Sequence, residues 1–216
     1  MQDTWKIVYK DIVLRDMVES DVEDDIRWNT EQTEWALWDA PWEMEEALAC
    51  FDPDAYREKE LKRIADAAER RAYDDFRWEV ELDHRDGTHI GSLNTYLIDE
   101  EYEWVKWVGR EGMNGVFYYA LGIEINEPSF WNSGIGKDAL CAYIEHHFEH
   151  GHFNIALQTW SGNIRMVKCA ERLGFKIVDR EIGFRKVRGE VYDGLTFVLD
   201  ADEFRKVQIT ARISVL

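Results

Sequence analysis

The stretch that most constrains the fold runs from Leu121 to Leu140, LGIEINEPSFWNSGIGKDAL. Leu121, Ile123 and Ile125 alternate with Gly122, Glu124 and Asn126 at period two, the pattern of a strand with one buried face. Glu127, Pro128 and Ser129 break the alternation. A short loop with glycines at 134 and 136 then opens a helix carrying Ala139, Leu140, Tyr143 and Ile144 on one face. Strand, glycine-containing loop and helix start together make an anion cradle. The N–H groups of the first helical turn have no intrahelical partner, the dipole adds partial positive charge, and the missing Cβ atoms of Gly134 and Gly136 allow close approach. Two well-known phosphate motifs are excluded. A dinucleotide fingerprint needs a third glycine where Asp138 and Ala139 stand, and a P-loop needs Ser or Thr after Gly136-Lys137, where Asp138 stands. On this stretch alone, a purely structural βα turn stays open.

About 27 residues after Gly136 comes a second helix, Asn163 to Leu173, ending in the stop Gly174-Phe175. The two motifs at this separation resemble the GNAT superfamily of N-acetyltransferases, with Trp131-Asn-Ser-Gly-Ile-Gly136 similar to that family's Q/R-x-x-G-x-G/A loop. Trp131, the strand Gly122 to Ile125, the segment Glu181 to Arg185 and Tyr192-Asp193-Gly194 resemble the RimJ/RimL-like branch. The resemblance implies a mixed α/β (α+β) fold: a mostly antiparallel central sheet, flanked by helices, with a V-shaped splay between its two central strands. It implies acetyl-CoA as co-substrate and no metal. The pyrophosphate would lie on Trp131, Asn132, Ser133, Gly134, Ile135, Gly136 and Lys137, the pantetheine along the strand of Ile123 and Ile125, with Asn163 reaching its amides. Many relatives carry a Tyr seven residues after the Asn, or a Ser three after it, as acid for the departing thiolate. This chain has Ala170 and Met166.

The chain of 216 residues reads as one GNAT-like domain, with a core of about 12–199 and a tail of 200–216. Its formal net charge of −18 argues against nucleic acid and anionic membrane surfaces, both of which require a basic face. Three scattered cysteines read as free thiols, and with no apolar run of membrane-spanning length the expected location is the cytoplasm.

Taken in order, Ile12 to Leu14 reads as the first strand, and Ser20 as the cap of a helix to about Trp28. Asn29 to Glu46 sets Trp35, Trp38 and Trp42 among six acidic residues. Either the aromatics pack inward while the acids face water, or Trp35, Trp38 and Asp39 bind a cationic acceptor on the side the family uses for it. Asp54 to Ala72 reads as one helix with Leu61, Ile64, Ala65 and Ala68 inward. Phe76 to Leu82 and Ile90 to Ile98 read as a hairpin, and Asp99 to Gly115, with Trp104 and Trp107, as a polar connection. His146 and His150 share a helical face near its C-terminus, where the dipole favours histidine without any ion. Asn154 to Thr159 reads as a strand, Phe175 to Leu199 as a closing hairpin, and the alternating tail Val207 to Leu216 as a further strand or partner contact.

The expected reaction is acetyl transfer to a primary amine, either a small cationic amine or a protein N-terminus. An amine is protonated at pH 7, so a base must act before attack. Glu124, beside the reacting carbon, is the first candidate, followed by Glu127 and Tyr118; each is also readable as an ordinary solvated side chain. A non-catalytic acyl-CoA sensor, a longer acyl group and a homodimer stay open.

Overall fold

The computed structural model describes residues 5–72, 74–106 and 117–213. In chain order its elements are β1 (Lys6–Tyr9), β2 (Ile12–Arg15), α1 (Asp21–Thr30), a 3-10 turn (Thr33–Leu37), α2 (Pro41–Ala49), α3 (Pro53–Ala65), α4 (Ala67–Arg71), β3 (Glu79–His84), β4 (His89–Ile98) and β5 (Trp104–Val105). There follow β6 (Tyr118–Ile125), a 3-10 turn (Pro128–Phe130), α5 (Ile135–Glu149), β7 (Ile155–Trp160), α6 (Ile164–Leu173), β8 (Phe175–Val187), β9 (Glu190–Leu199) and α7 (Ala201–Ile213). The chain divides into two compact units, Met1–Leu93 with Ile123–Ala142, and Asn94–Gly122 with Tyr143–Leu216.

The first unit is built on the neighbouring strands β1, β2, β3 and β4. β1 pairs antiparallel with β2 (Ile7↔Leu14), and β2 with β3 (Leu14↔Leu82). β1 lies ahead of the strand expected first, because the turn at Lys10 returns the chain onto Ile12–Arg15. Ile12, Leu14, Val80 and Leu82 are buried, as alternation requires, and Glu81 is buried beside them. Ser20 precedes α1 but forms no side-chain cap bond; Asp21 instead accepts from the Val18 N–H at 2.8 Å. The single helix expected over Asp54 to Ala72 is two, α3 and α4, with Asp52 capping α3 through the N–H groups of Asp54 and Ala55. Its expected inward residue Leu61 is exposed, while Glu60 is buried, ion-paired with Lys59 and Arg63.

In the second unit the strand order is β4, β6, β7, β9, β8, with β5 on β4. The β6–β7 ladder is parallel and registers Tyr119 with Ile155 and Ala120 with Ala156, whereas β7–β9 and β8–β9 are antiparallel. Ile98, Ala120 and Ala156 form one core cluster, with Tyr96, Tyr102, Tyr118 and Val198 packed on it. α6 stops at Gly174, as its Gly-Phe signal predicts. The polar connection after Asp99 contributes β5; Trp107 lies outside the described residues. The tail is not a strand. α7 forms because Asp200 caps it through the N–H groups of Asp202 and Glu203, and because Phe204 and Gln208, four apart, share a buried face. Its period-two alternation is incidental. No described helix is long and apolar enough to cross a membrane.

Candidate active site

The loop between β6 and α5, the expected anion cradle, spans Asn126 to Gly134. The first intrahelical bond runs from the Asp138 N–H to the Gly134 carbonyl, so the N–H groups of Gly136 and Lys137 precede it; that of Ile135 is 3.4 Å from Ser133 Oγ. Gly134 has φ +93°, which an L side chain resists, and no protein atom lies within 4 Å of where its Cβ would stand. Gly136 is different. A Cβ there would approach Ile125 Cδ1 to 3.3 Å and Ile123 Cδ1 to 3.9 Å, so these isoleucines pack beneath the helix start. Asp138, an acid beside an anion site, is paired with Lys10 Nζ at 2.7 Å. Asn132 and Ser133 are exposed, and Trp131 is half-buried with its indole N–H donating to the Ile125 carbonyl at 2.7 Å.

The end of β6 is pinned from the side of β4. The Ile90 carbonyl accepts from both Asn126 N–H (2.9 Å) and Glu127 N–H (3.4 Å). A Cβ on Gly91 would fall 2.0 Å from the Glu124 carbonyl oxygen, so glycine alone permits this approach. Glu124 is thereby fixed at the strand end with its side chain half-buried.

Around Glu124 the first unit gathers carboxyls from distant parts of the chain. Burial, then the charges of Asp39 and Asp25, push the Glu124 carboxyl up to about 8, against a hydrogen bond from Asn126 that lowers it. Asp25 is raised to about 7 by burial and then by Glu81, against the Tyr56 hydroxyl, which donates to its Oδ2 at 2.9 Å. Asp39 keeps an exposed surface, yet its carboxyl is raised by the surrounding protein and then by Glu43. Behind these, His89 is buried between Glu81 (3.2 Å) and Asp24 (3.3 Å) with Asp21 at 3.7 Å, its ring 4.8 Å from that of Trp28. Burial alone would lower His89; the hydrogen bond and charge of Glu81, then Asp21, outweigh it and raise the imidazole to about 9. Arg15 answers Asp21 (2.6 and 2.9 Å) and Asp83 (2.6 and 2.7 Å), each through two hydrogen bonds.

The remaining expected residues take distinct places. Glu127 Oε1 accepts from Trp28 Nε1 at 3.0 Å and lies 2.8 Å from Arg27. Trp38 is half-buried, but Trp35, expected on the acceptor face, is 8% exposed and donates its indole N–H to the Trp28 carbonyl at 2.9 Å. Its place is the core beneath that face. In the second unit, Asn163 caps α6 by accepting from the Met166 N–H at 3.1 Å, and the Tyr118 ring lies 5.6 Å from that of Tyr102. Asp25, Tyr56, Glu81 and His89 were not legible as site residues. The one local trace is the acidic run Asp21 to Asp25, which the dipole at the start of α1 favours by itself.

A mixed, mostly antiparallel sheet flanked by helices is the fold this chain shares with solved GNAT acetyltransferases. The model for the acetyltransferase (GNAT) domain matches residues 11–176, and the chain belongs to that family. A mycothiol acetyltransferase of Propionibacterium freudenreichii subsp. shermanii is 32% identical over 83 residues, 38% of this chain and 26% of that protein. The match thus spans about a quarter of that relative. Among solved structures, the RimL ribosomal L7/L12 alpha-N-protein acetyltransferase in complex with coenzyme A superposes with TM-score 0.63 at 16% identity, over 92% of this chain and 100% of that one. A chimera of the spermidine N-acetyltransferase SpeG from Vibrio cholerae with hSSAT superposes with TM-score 0.58 at 13% identity, over 90% and 98%.

Proposed function

We propose that this protein transfers the acetyl group of acetyl-CoA to the nitrogen of a primary amine, a small cationic amine or a protein N-terminus. The observation that carries this reading is Glu124, a carboxyl raised to about 8 and fixed at the end of the strand that leads into the cradle. Acetyl-CoA supplies an activated thioester carbonyl. The chain's own residues would hold it: the N–H groups of Gly136 and Lys137 with the dipole of α5 for the pyrophosphate, and β6 for the pantetheine, with Asn163 as a further contact.

Glu124 would take a proton from the acceptor's ammonium, leaving a neutral amine to attack the thioester carbonyl. A base whose value lies near the working pH combines a usable ionised fraction with enough basicity to draw a proton from an amine. Asp39 and Asp25 serve twice: their charge keeps Glu124 basic, and they favour a cationic acceptor. The related structures named for a protein N-terminus and for spermidine agree with a cationic nitrogen as acceptor. The test is a screen for release of free CoA thiol from acetyl-CoA in the presence of polyamines, aminoglycosides, amino acids and N-terminal peptides. Amine-dependent release is expected. Binding of acetyl-CoA without release by any amine would instead make this a sensor.

A further inference from the structure

Three tryptophan indoles, those of Trp28, Trp35 and Trp131, and the Glu127 carboxylate link the loop after β6 to the segment Trp28 to Asp39. At the loop's entry, Glu127 precedes the 3-10 turn Pro128–Phe130, and its Oε1 accepts from Trp28 Nε1 (3.0 Å) and pairs with Arg27 (2.8 Å) at the end of α1. The Trp28 carbonyl in turn accepts from Trp35 Nε1 (2.9 Å), in the 3-10 turn that leads to Trp38 and Asp39. At the loop's start, the Trp131 ring packs on the cluster of Trp28, Trp35 and Ala36, beside Met44 and Leu48 of α2, while its N–H holds the Ile125 carbonyl. α2 itself has no fully buried residue.

We infer that Glu127 and Trp28 are positioning residues that set acetyl-CoA affinity: they latch the cradle loop to the acceptor segment, and acceptor and acetyl-CoA therefore bind with linked affinities. The latch rests on the reading that this loop takes the pyrophosphate. Its physical basis is that a first-turn N–H array binds an anion only when the loop before it is held in register. Here Trp28 and Arg27 add a hold on Glu127 from outside the loop, beside the Ile90 carbonyl that takes the Asn126 and Glu127 N–H groups and the loop's own Trp131–Ile125 bond. Whatever moves the acceptor segment moves the same indoles, and linkage makes the effect reciprocal. Glu127 thereby acquires a role other than that of a base.

The test is calorimetric titration of acetyl-CoA into the full chain carrying Trp28→Phe, Glu127→Ala, Glu127→Gln or the first two combined, with pH profiles of kcat for the same variants. Trp28→Phe keeps the ring but loses the donor, and Glu127→Gln keeps an acceptor for Trp28 while losing the charge. Trp28→Phe and Glu127→Ala should each weaken acetyl-CoA binding about tenfold, the double variant no further, and Glu127→Gln should recover most of the loss; non-additivity is the signature of one shared contact. The pH midpoint of kcat should stay in place throughout. Unchanged affinity in Glu127→Ala, additive losses, or a displaced midpoint would overturn the latch. Failure of the unaltered protein to bind acetyl-CoA would remove the loop reading itself, an outcome distinct from all of these.

Discussion

Replacing Glu124 with Gln isolates proton removal from the other work of the site. With its carboxyl raised to about 8, Glu124 is ionised in roughly a tenth of molecules at pH 7 and roughly nine-tenths at pH 9. As the base, it should make kcat/KM climb about tenfold between those values. In the variant lacking this base the remaining rise should follow the acceptor alone, because a lysine-like amine loses its proton only near pH ~10. Glu124→Gln should abolish the limb centred near 8, lower the plateau on the order of 10²- to 10⁴-fold, and leave the amine's slope and the acetyl-CoA affinity in place. Asp39→Asn gives a finer test. Burial is the leading cause of the Glu124 shift and the Asp39 charge the next, so removing that charge should move the limb to lower pH without erasing it. Initial rates of thiol release from pH 6 to 10 measure the unaltered protein and both variants. A Glu124→Gln protein with wild-type turnover and an intact limb near 8 would clear Glu124 of the role.

Gly134→Ala should weaken acetyl-CoA binding tenfold or more while costing about 1–2 kcal/mol of backbone strain, since φ is +93° there; calorimetry with unchanged affinity would refute the cradle. His147 is fully buried and its imidazole is lowered to about 2, by burial first and then by the charges of His152, His146 and His150. The folded protein thus keeps it neutral while the unfolded chain takes up a proton near pH ~6.5, so stability should fall as pH drops below that value. Urea melts of His147→Gln between pH 7 and 5 should show a flatter acid limb, and an unaltered limb would rule His147 out as its source. For a cationic acceptor, kcat/KM should fall as salt shortens the Debye length below ~8 Å, and Trp38→Ala should raise KM more than it lowers kcat; indifference to salt, with only neutral acceptors used, would sink the cationic assignment.

What was legible in the sequence was local. β6, its loop and α5 follow from period two, a Pro-containing break and two glycines within 20 residues, and the end of α6 follows from the stop Gly174-Phe175. What was not legible depends on partners far along the chain. Glu60 displaces Leu61 from the interior of α3 because Lys59 and Arg63 neutralise it there, and hydrophobic spacing carries no information about such pairing. The alternation from Val207 onward suggested a strand until Asp200 and Phe204 supplied a cap and an anchor just before it. The carboxyl group about Glu124 draws on residues 25, 39 and 81, and only the pairing of strands and the packing of α1 against them could bring these numbers together. Glu124 itself was readable because it lies on the strand that the loop motif marks; its raised carboxyl was not, since its causes are all non-local.

The absence of a hydroxyl acid on α6 fits this distribution of charge. Ala170 is fully buried and the Met166 N–H is engaged by the Asn163 cap, so neither position offers a proton to a departing sulfur. Little is needed there. A thiol with an ordinary value near ~8.5 leaves as an anion that water can protonate at neutral pH, whereas an ammonium near ~10 cannot attack until its proton has gone. In the proposed reaction the harder transfer is therefore the acceptor's, the step proposed for Glu124, whose carboxyl is raised to about 8. Positioning the thioester against the amine supplies much of the remaining acceleration without any acid. On the proposed reading, with Glu124 as the base, the first proton to move is the acceptor's, and the perturbed carboxyls of Glu124, Asp25 and Asp39 all belong to the unit that carries the loop between β6 and α5.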